Sequence, residues 1–341
     1  MAESMAIYLG KQTAAPERRV GVVCAASVVG RKEGEGPLGA RFDRVSEDSY
    51  FGKKSWESAE SEMLRQCVAL ACEKGGWAPE SLRWLLSGDL QSQCTGSAFA
   101  LRDAGAPYLG LYGACSTMGE ALGLGALLVD GGAERVCAAT CSHFCSAERQ
   151  FRTPLEYGSQ RAPTAQWTAT AAGAALLAPT GGRVRITHVT TGRIVDAGVT
   201  DAANMGAAMA PAALDTLAAH FADTGRSPDD YDAVITGDLG AVGHALLREI
   251  AAGEGLRFGR VFTDCGMLLY NAAEQDVHAG GSGCGCSASV FAAHILRCME
   301  DGLWRRVLFA PTGALLSAVS TLQGESIPGI CHAVALEAEV N

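Results

Sequence analysis

The sequence lacks long hydrophobic runs and clusters of basic residues. No stretch approaches the ~18 uninterrupted apolar residues of a membrane-spanning helix. The opening MAESMAIYLG has no charged segment followed by an apolar core, so we expect neither a membrane span nor a signal peptide. No run of five basic residues occurs, and the formal net charge is −10. This balance argues against nucleic acid as a partner and against a polybasic membrane anchor.

The cysteines follow neither a disulfide framework nor a zinc pattern. There are 13 of them, an odd number without regular spacing, which is typical of a protein in a reducing compartment. Two local clusters, Cys141-Ser-His-Phe-Cys145 and Cys284-Gly-Cys286, lack the CxxC spacing of a zinc knuckle. We therefore expect no metal site, and nothing in the sequence indicates a cofactor.

The sequence does contain an internal repeat. Segments 78–90 and 227–239 share a short helical lead-in, a buried strand and the tripeptide Gly-Asp-Leu, at an offset of 149 positions from Asp89 to Asp238. A second set of matches lies at an offset of 171. It pairs Cys115-Ser116 with Cys286-Ser287, Gly131 with Gly302, and Arg135-Val136 with Arg306-Val307. Two collinear matches predict two copies of one fold, which we place at residues 1–180 and 181–341. Because the offset grows, we expect an insertion between Leu239 and Cys286.

Hydrophobic periodicity predicts the same order of elements in both copies. The first copy is predicted as strand 20–29, helix 56–74 with Ser55 as its N-cap, strand 82–87, helix 92–103, strand 108–112, helix 116–129 and strands 135–140 and 173–178. The second is predicted as strand 184–195, helix 209–221, strand 233–236, helix 242–252, strand 260–263, helix 287–299 and strands 306–310 and 332–337. Segments 121–129 and 287–293 carry no charge, which indicates helices buried on all sides. The order βαβαβαββ, twice, predicts an α/β protein with five layers, αβαβα, and two mostly parallel sheets.

The most informative single stretch is Gly110–Met118. An apolar strand breaks at Gly113 and a helix starts, which leaves Cys115 at the turn. The free N–H groups and the dipole of a first helical turn favour negative charge, so this position suits a thiolate nucleophile or an anionic ligand. Such elbows are common ligand sites in α/β folds. We expect Cys115 and Ser116 to line a pocket; the alternative is that Cys115 is a small buried filler.

The duplicated halves with a cysteine elbow resemble the thiolase and ketoacyl synthase superfamily over nearly the whole chain. Nine stretches further resemble the stage V sporulation protein AD family of spore-forming Firmicutes, namely 10–13, 32–39, 55–57, 110–118, 142–158, 163–167, 204–211, 276–288 and 321–329. This resemblance implies a thiolase-like homodimer that binds pyridine-2,6-dicarboxylic acid (dipicolinic acid) for uptake into the developing spore. It further implies membrane-embedded sporulation proteins of the same operon as partners and a peripheral place on the forespore or spore inner membrane. Whether calcium accompanies the ligand stays open.

The resemblance also bears on catalysis. Condensing enzymes of the superfamily pair the thiol with His, or with His and Asn, from the second half, to hold the thioester oxygen and the developing carbanion. At the corresponding places this chain has Gly237-Asp238-Leu239 and Gly281–Cys286, without His or Asn. Asp238 beside the thiol would raise the pKa of Cys115, and an ionised carboxylate donates no hydrogen bond. We therefore expect a non-catalytic protein; the alternatives are an acyltransferase with Cys115 as nucleophile, helped by an inward-reaching His278, and a pure scaffold.

A planar dianion needs N–H donors, a positive local field and flat apolar walls. Our candidate ligand contacts are Cys115, Ser116, His143, Arg149, Gln166, His278 and Ser282. For Arg149, and for Arg152 and Arg161 nearby, the alternative is pairing with Glu148 and Glu156 at the surface or a subunit interface. For His143 the alternative is satisfying buried backbone groups. The histidines that fall within helix or strand patterns are taken as structural: His188, His220, His244, His294 and His332.

Overall fold

The computed structural model describes residues 6–151, 161–259 and 261–339. Its strands are β1 Ile7–Leu9, β2 Thr13–Ala15, β3 Gly21–Gly30, β4 Arg44–Ser46, β5 Trp84–Gly88, β6 Tyr108–Gly110, β7 Val136–Ser142, β8 Trp167–Thr168, β9 Ala171–Ala178, β10 Val184–Thr190, β11 Ala233–Thr236, β12 Phe262–Asp264, β13 Gly281–Ser282, β14 Arg306–Ala310, β15 Thr312–Ala314, β16 Gly329–Cys331 and β17 Ala333–Ala338. Its helices are α1 Arg31–Gly34, α2 Trp56–Gly75, α3 Thr95–Leu101, α4 Thr117–Asp130, α5 Phe144–Phe151, α6 Met205–Thr224, α7 Gly240–Gly253, α8 Cys265–Leu269, α9 Cys284–Val290, α10 Leu296–Glu300 and α11 Ala318–Leu322. A π-helical turn, Phe291–Ile295, joins α9 to α10, and short 3-10 turns lie at Gly39–Arg41, Pro79–Ser81, Ser92–Cys94, Ala114–Ser116 and Pro228–Asp230.

The long strands form two five-stranded arrays with the same internal order. The spatial order is β3-β9-β7-β5-β6 in the first half and β10-β17-β14-β11-β12 in the second. If the five strands of each half are numbered in chain order, both arrays have the same spatial order, 1-5-4-2-3. In each array only the fifth strand, β9 or β17, runs opposite to the other four. The shared order confirms the predicted duplication and the mostly parallel sheets.

The two arrays meet at a short seam. Strands β3 and β10 pair antiparallel through two register pairs, Val184 with Val22 and Arg185 with Gly21. Farther along, β10 pairs with β2 of the N-terminal hairpin through Val189 and Thr190. The two predicted sheets are therefore continuous at one edge, as a hydrogen-bonded sheet of 13 strands.

Alternate residues of a strand pack into different layers, because side chains of a strand alternate between its faces. In β7, Ala138 belongs to the central core, whereas Cys137 belongs to the outer cluster formed with α2 and α3. In β14, Phe309 packs into the same central core and Leu308 into the outer cluster with α6 and α7. The central core contains α4 and α9 between the two arrays. This arrangement is the predicted αβαβα layering.

The outer helices α2 and α6 begin and end with matching caps. The Ser55 hydroxyl accepts the N–H of Ser58, and the Asn204 side chain accepts the N–H of Ala207. Both helices stop at a glycine with a φ of 66°, Gly76 or Gly225, a left-handed conformation that glycine adopts at little cost. The predicted N-cap at Ser55 is confirmed. No helix within the described ranges is both long and apolar enough to cross a bilayer.

Several predicted elements are shorter in the structure, most clearly one helix and one strand. The helix expected at 92–103 begins only at Thr95, because Gln93 and Cys94 adopt positive φ angles of 63° and 54°. The strand expected at 184–195 ends at Thr190, where its pairing with β2 and β17 also ends.

The second half carries its extra residues in two places. Helix α7 has 14 residues where α3 has 7. In addition, α8 and residues 270–283 separate β12 from α9, whereas a 3-10 turn leads from β6 towards α4. The predicted insertion between Leu239 and Cys286 is confirmed, and it brings residues 270–283 to the region described next.

Candidate functional site

Cys115 lies in the turn between β6 and α4, as predicted. The preceding Ala114 has a φ of 49°, a left-handed conformation that residues other than glycine rarely adopt. The Ser116 hydroxyl donates to the carbonyl of Gly113 at 2.7 Å, and the Thr117 hydroxyl donates to the carbonyl of Ala114 at 2.7 Å. These bonds hold the strained elbow, and the Ser116 hydroxyl is occupied within it.

The thiol of Cys115 is enclosed. It packs in a small apolar cluster with Leu90, Ala147 and Cys284, and 5% of the residue is exposed. Burial raises the pKa of the Cys115 thiol well above its ordinary value, and the negative charge of Asp238 raises it further. The thiol is therefore neutral at physiological pH. The structure agrees with the expectation that Asp238 raises the pKa of Cys115, although burial raises it more.

Asp238 is fully buried at the end of β11 and accepts three hydrogen bonds. The Ser282 hydroxyl at 2.9 Å and the Gly283 N–H at 3.0 Å donate to its Oδ2, and the Thr312 hydroxyl at 2.9 Å donates to its Oδ1. The Ser282 Oγ also lies 3.9 Å from the Cys115 Sγ. Burial raises the pKa of Asp238 to about 6, so the group is mostly ionised at neutral pH. The centre consequently presents an acceptor beside the thiol.

Gln166 joins this centre from the first half. Its Nε2 donates to the carbonyl oxygens of Asp238 and, at 3.1 Å, Gly281, while its buried Oε1 has no hydrogen-bond partner among the described residues. The following strand β8 pairs in parallel with β13, with Trp167 opposite Gly281 and Thr168 opposite Ser282. This two-stranded ribbon connects the halves. Of the predicted contacts, Cys115, Gln166 and Ser282 thus come together around Asp238.

An open cavity of about 530 Å³ adjoins the ribbon. The first half contributes Lys32, His143, Phe144 and Trp167 to its wall, and the second half contributes residues 274–276. The cavity therefore lies at the junction of the two copies. The cavity is open, whereas the thiol centre is enclosed. The two are adjacent in the chain, because Trp167 of the cavity wall directly follows Gln166 of the thiol centre.

His143 lines the cavity in its neutral form. Its Nε2 lies 2.9 Å from the carbonyl of Ser49, and its Nδ1 accepts the N–H of Cys145 at 3.1 Å. The accepting Nδ1 leaves the proton on Nε2. Burial lowers the pKa of His143, so the ring stays uncharged at neutral pH. Both nitrogens bind backbone groups, which leaves the apolar face of the ring as its contribution to the wall.

Two predicted contacts lie away from the thiol. Arg149 forms an ion pair with Glu57, and more than half of its side chain is exposed. His278 is an exposed residue whose Nε2 lies 3.2 Å from a carboxylate oxygen of Asp276. The alternative in which His278 reaches inward is therefore not seen here, because the residue lies at the surface beside Asp276. Arg152 lies outside the described residues.

Two residues of this region were missed from the sequence, Thr312 and Lys32. Thr312 comes two positions after β14, and Lys32 comes two positions after β3. Parallel strands place their carboxyl ends at one edge of a sheet, so polar residues just after strands were the available signal. For metals, no group of three or more His, Cys, Asp or Glu side chains in the described part of the chain is placed to hold an ion.

Residues 10–337 match the sequence model of the family described as Stage V sporulation protein AD. A protein of that name from Bacillus subtilis (strain 168) is 43% identical over 329 residues, which are 96% of this chain and 97% of that protein.

Solved structures give the fold. A 3-oxoacyl-[acyl-carrier-protein] synthase III from Aquifex aeolicus has a TM-score of 0.54 at 12% identity, covering 93% of this chain and 99% of that one. Human mitochondrial 3-ketoacyl-CoA thiolase in complex with CoA has a TM-score of 0.53 at 13% identity, covering 96% and 99%. At such low identity these likenesses establish a thiolase-like fold and carry no information about activity.

Proposed function

The chain belongs to the stage V sporulation protein AD family, and from that premise we propose that it is a non-catalytic protein that binds dipicolinic acid. In this proposal it serves the uptake of dipicolinic acid into the developing spore. It acts as a homodimer on the periphery of the spore inner membrane, together with membrane-embedded sporulation proteins of its operon.

The observation that carries the non-catalytic part is the position of Asp238. A condensing thiol needs donors that stabilise negative charge on the thioester oxygen. Here the group next to Cys115 is a buried carboxyl that itself takes the donors Ser282, Gly283 and Thr312. The raised pKa of Cys115 also leaves little thiolate for attack.

The cavity at the junction of the halves supports the binding part. It is open, and its wall includes the flat side chains of Phe144 and Trp167 and the cations Arg31 and Lys32, together with five carboxyl groups, those of Glu33, Glu35, Glu47, Glu274 and Asp276. We place the ligand on this open side, against His143. Cys115, Gln166 and Ser282 do not line this cavity; they form the enclosed centre around Asp238. We assign no ligand contact to Ser116, Arg149 or His278.

The experiment combines titration and mass spectrometry on the full chain. Calorimetric titration with dipicolinate is expected to give saturable binding, and incubation with acetyl-CoA is expected to leave the mass of the protein unchanged. Iodoacetamide at pH 8 is expected to modify the half-buried Cys145 before the enclosed Cys115. Peptide mapping reports both reactions.

Two outcomes would overturn the proposal. Rapid acetylation of Cys115 by acetyl-CoA would favour the acyltransferase alternative, and silence with dipicolinate would favour a pure scaffold. Sedimentation velocity tests the homodimer separately, and a monomer at all concentrations would remove that part alone.

A further inference from the structure

A cysteine, a histidine and an arginine meet at a place separate from the cavity and the thiol centre. His294 belongs to the π-helical turn Phe291–Ile295, and Cys298 lies four residues later in α10. Residues four apart share one face of a helix. Arg41, which ends the 3-10 turn Gly39–Arg41, reaches this face from the first half. The Cys298 Sγ lies 3.6 Å from the His294 Nδ1, and the Arg41 Nη1 lies 3.5 Å from that nitrogen and 3.8 Å from the sulfur.

The arginine determines which nitrogen of His294 carries the proton. A guanidinium has donors and no acceptor, so the nitrogen that faces Arg41 is the unprotonated one. The Nδ1 lone pair therefore faces the thiol as well, and the ring proton lies on Nε2. Burial lowers the pKa of His294, and the charge of Arg41 lowers it further, so the ring is neutral at neutral pH. His294 is thus a base within hydrogen-bond distance of the Cys298 sulfur.

The thiol of Cys298 is neutral at rest. Burial raises its pKa, the charge and the hydrogen bond of Arg41 lower it, and the charge of Asp301 raises it. The resting pair is therefore a thiol that donates to an imidazole. A thiolate forms when the proton moves to Nδ1 as the sulfur attacks an electrophile. The guanidinium of Arg41 faces the sulfur at that moment and stabilises its negative charge.

Other buried thiols have different partners. Cys67 donates to the carbonyl of Ala26 at 3.3 Å, and Cys331 donates to the carbonyl of Ala310 at 3.6 Å. A carbonyl oxygen accepts a hydrogen bond, but it is too weak a base to take the proton of a thiol at neutral pH. These two thiols are therefore small core groups, whereas Cys298 has both a base and a cation at its sulfur.

Only a small reagent reaches Cys298, because the residue is 3% exposed. The ring of His294 lies edge-on against Trp304, with centroids 5.4 Å apart and planes 84° apart, and the histidine is partly exposed. Bulky electrophiles such as disulfides cannot approach the sulfur through so small an opening. Hydrogen peroxide is close to water in size, and it oxidises cysteine through the thiolate. It is the electrophile that fits both the access and the chemistry of this cluster.

We propose that Cys298 is a peroxide-sensitive thiol, with His294 as its general base and Arg41 as the cation that stabilises the thiolate. The sulfur attacks one oxygen of hydrogen peroxide while its proton moves to the His294 Nδ1. The S–O bond forms, the O–O bond breaks, and the leaving hydroxide takes the proton from the imidazolium and departs as water. Cys298 is oxidised by two electrons to a sulfenic acid, and the peroxide is reduced. A thiol reductant restores the cysteine.

The test measures oxidation at each cysteine of the full chain. Hydrogen peroxide is added, catalase stops the reaction, and unfolding in iodoacetamide labels the thiols that remain. Peptide mass spectrometry then gives the rate of loss at each position, and a sample treated with dithiothreitol before labelling shows that the loss is reversible. Cys72 is the internal control, because it is 1% exposed and burial raises its pKa to about 11, with Glu80 as the charged group that acts on it.

We expect Cys298 to be oxidised at least about ten-fold faster than Cys72 at pH 7.5, because a positioned general base accelerates such attacks by roughly 10²-fold or more. The rate at Cys298 is expected to stay nearly constant from pH 6.5 to pH 8.5, since the neutral imidazole accepts the proton throughout. The rate at Cys72 is expected to rise about ten-fold per pH unit, since that thiol reacts only through its free thiolate.

Two variants test the roles of the partners. His294→Asn keeps an amide oxygen near the position of Nδ1 and removes the base, so we expect the rate at Cys298 to fall about ten-fold or more. Arg41→Met is expected to lower it about three-fold, the effect of one solvent-screened charge. Arg44→Met is the matched control, because Arg44 is a nearby exposed arginine that binds Gln66 at 2.9 Å, and we expect no change.

Three results would overturn the inference. The first is oxidation of Cys298 that is no faster than that of Cys72 in the wild type, and the second is an equal rate at Cys298 in the wild type and in His294→Asn. If His294→Asn loosens the fold, Cys72 reacts faster in it too, and the wild-type pH profile decides: a ten-fold rise per pH unit at Cys298 is the third. None of these results depends on dipicolinate, so the proposed function stands or falls separately.

Discussion

Asp89 and Asp238 occupy equivalent positions in the two halves and have different partners. Each follows the second strand of its half in the tripeptide Gly-Asp-Leu. Asp89 accepts the N–H groups of Gln91 at 2.8 Å and Ser97 at 2.6 Å, and so holds the start of α3 in its own half. Asp238 instead accepts hydrogen bonds from Ser282, Gly283 and Thr312 and faces the Cys115 thiol of the other half. The same local sequence thus serves helix capping in one copy and the shared centre in the other.

The register of the sheets explains how Asp238 became available. In the first half Ser87 of β5 pairs with Gly110 of β6, and in the second half Thr236 of β11 pairs with Asp264 of β12. Gly110 and Asp264 are therefore structural equivalents. Asp264 accepts the N–H of Leu239 at 2.8 Å and of Gly240 at 3.0 Å. Because Asp264 caps the start of α7, Asp238 is free to turn to Cys115.

The strongest test of this difference is Asp238→Ala. It removes the acceptor of three buried donors, so we expect the free energy of unfolding to fall by about 3 kcal/mol or more. Asp238→Asn is the control, because an amide oxygen at Oδ2 keeps Ser282 and Gly283 while its NH₂ group donates to the Thr312 hydroxyl. We expect the control to lose less than about 1 kcal/mol in urea unfolding. Equal losses in both variants would contradict this prediction, because Asn keeps the hydrogen bonds that Ala removes.

Asp89→Asn should behave differently from Asp238→Asn. Each carboxylate oxygen of Asp89 faces a backbone N–H, so an amide necessarily places its NH₂ group against one of them. We expect a loss of about 2 kcal/mol in the same unfolding assay, reduced in part because the charge beside Glu60 disappears. If Asp89→Asn and Asp238→Asn are equally stable, the two positions do not differ as described.

The smallest expected effect concerns the neighbour of Asp89. Glu60 is buried, and burial together with the charge of Asp89 raises its pKa to about 8 from an ordinary value of 4.5. Between these values the unfolded chain releases a proton that the folded chain keeps, so rising pH disfavours folding. In Glu60→Gln the amide oxygen retains Ser146 and Gln91, and the NH₂ group faces the Cys141 sulfur.

We expect the stability of the wild type, relative to Glu60→Gln, to decline by about 1 kcal/mol or more between pH 5 and pH 8.5. Urea unfolding of both proteins across this range measures the difference, and other titrating groups cancel in the comparison. A difference that is constant with pH would mean that Glu60 ionises normally in the folded chain.

Much of the fold was predictable because its signals are local. The strand Arg306–Ala310 and the helix that starts at Trp56 carry their periods of two and 3.6 within a few residues. The shortened helix at Thr95 was not predictable in this way, because positive φ angles at Gln93 and Cys94 leave no hydrophobic signature.

The site was predictable only in part. That Asp238 raises the pKa of Cys115 could be predicted from the residue types at the turn between strand and helix. Arg149 and Lys32 show the limit: both are cations in segments after strands, yet one is paired with Glu57 and the other has no carboxylate partner among the described residues. Which of two cations stays unpaired depends on neighbours from distant segments, and the sequence does not reveal those neighbours.

By itself, the sequence determined the two copies, their order of strands and helices, and the cysteine at the elbow, because hydrophobic periods, glycine breaks and repeats act over short stretches of chain. Only the tertiary structure decided that Cys115 is enclosed, that Asp238 turns to it and that Ser282, 167 positions away from Cys115, joins them. The same holds for Lys32 and Arg161, which both lie over the indole ring of Trp167. These contacts depend on how the two halves pack against each other, and burial and charge act on a side chain only after that packing has brought distant segments together.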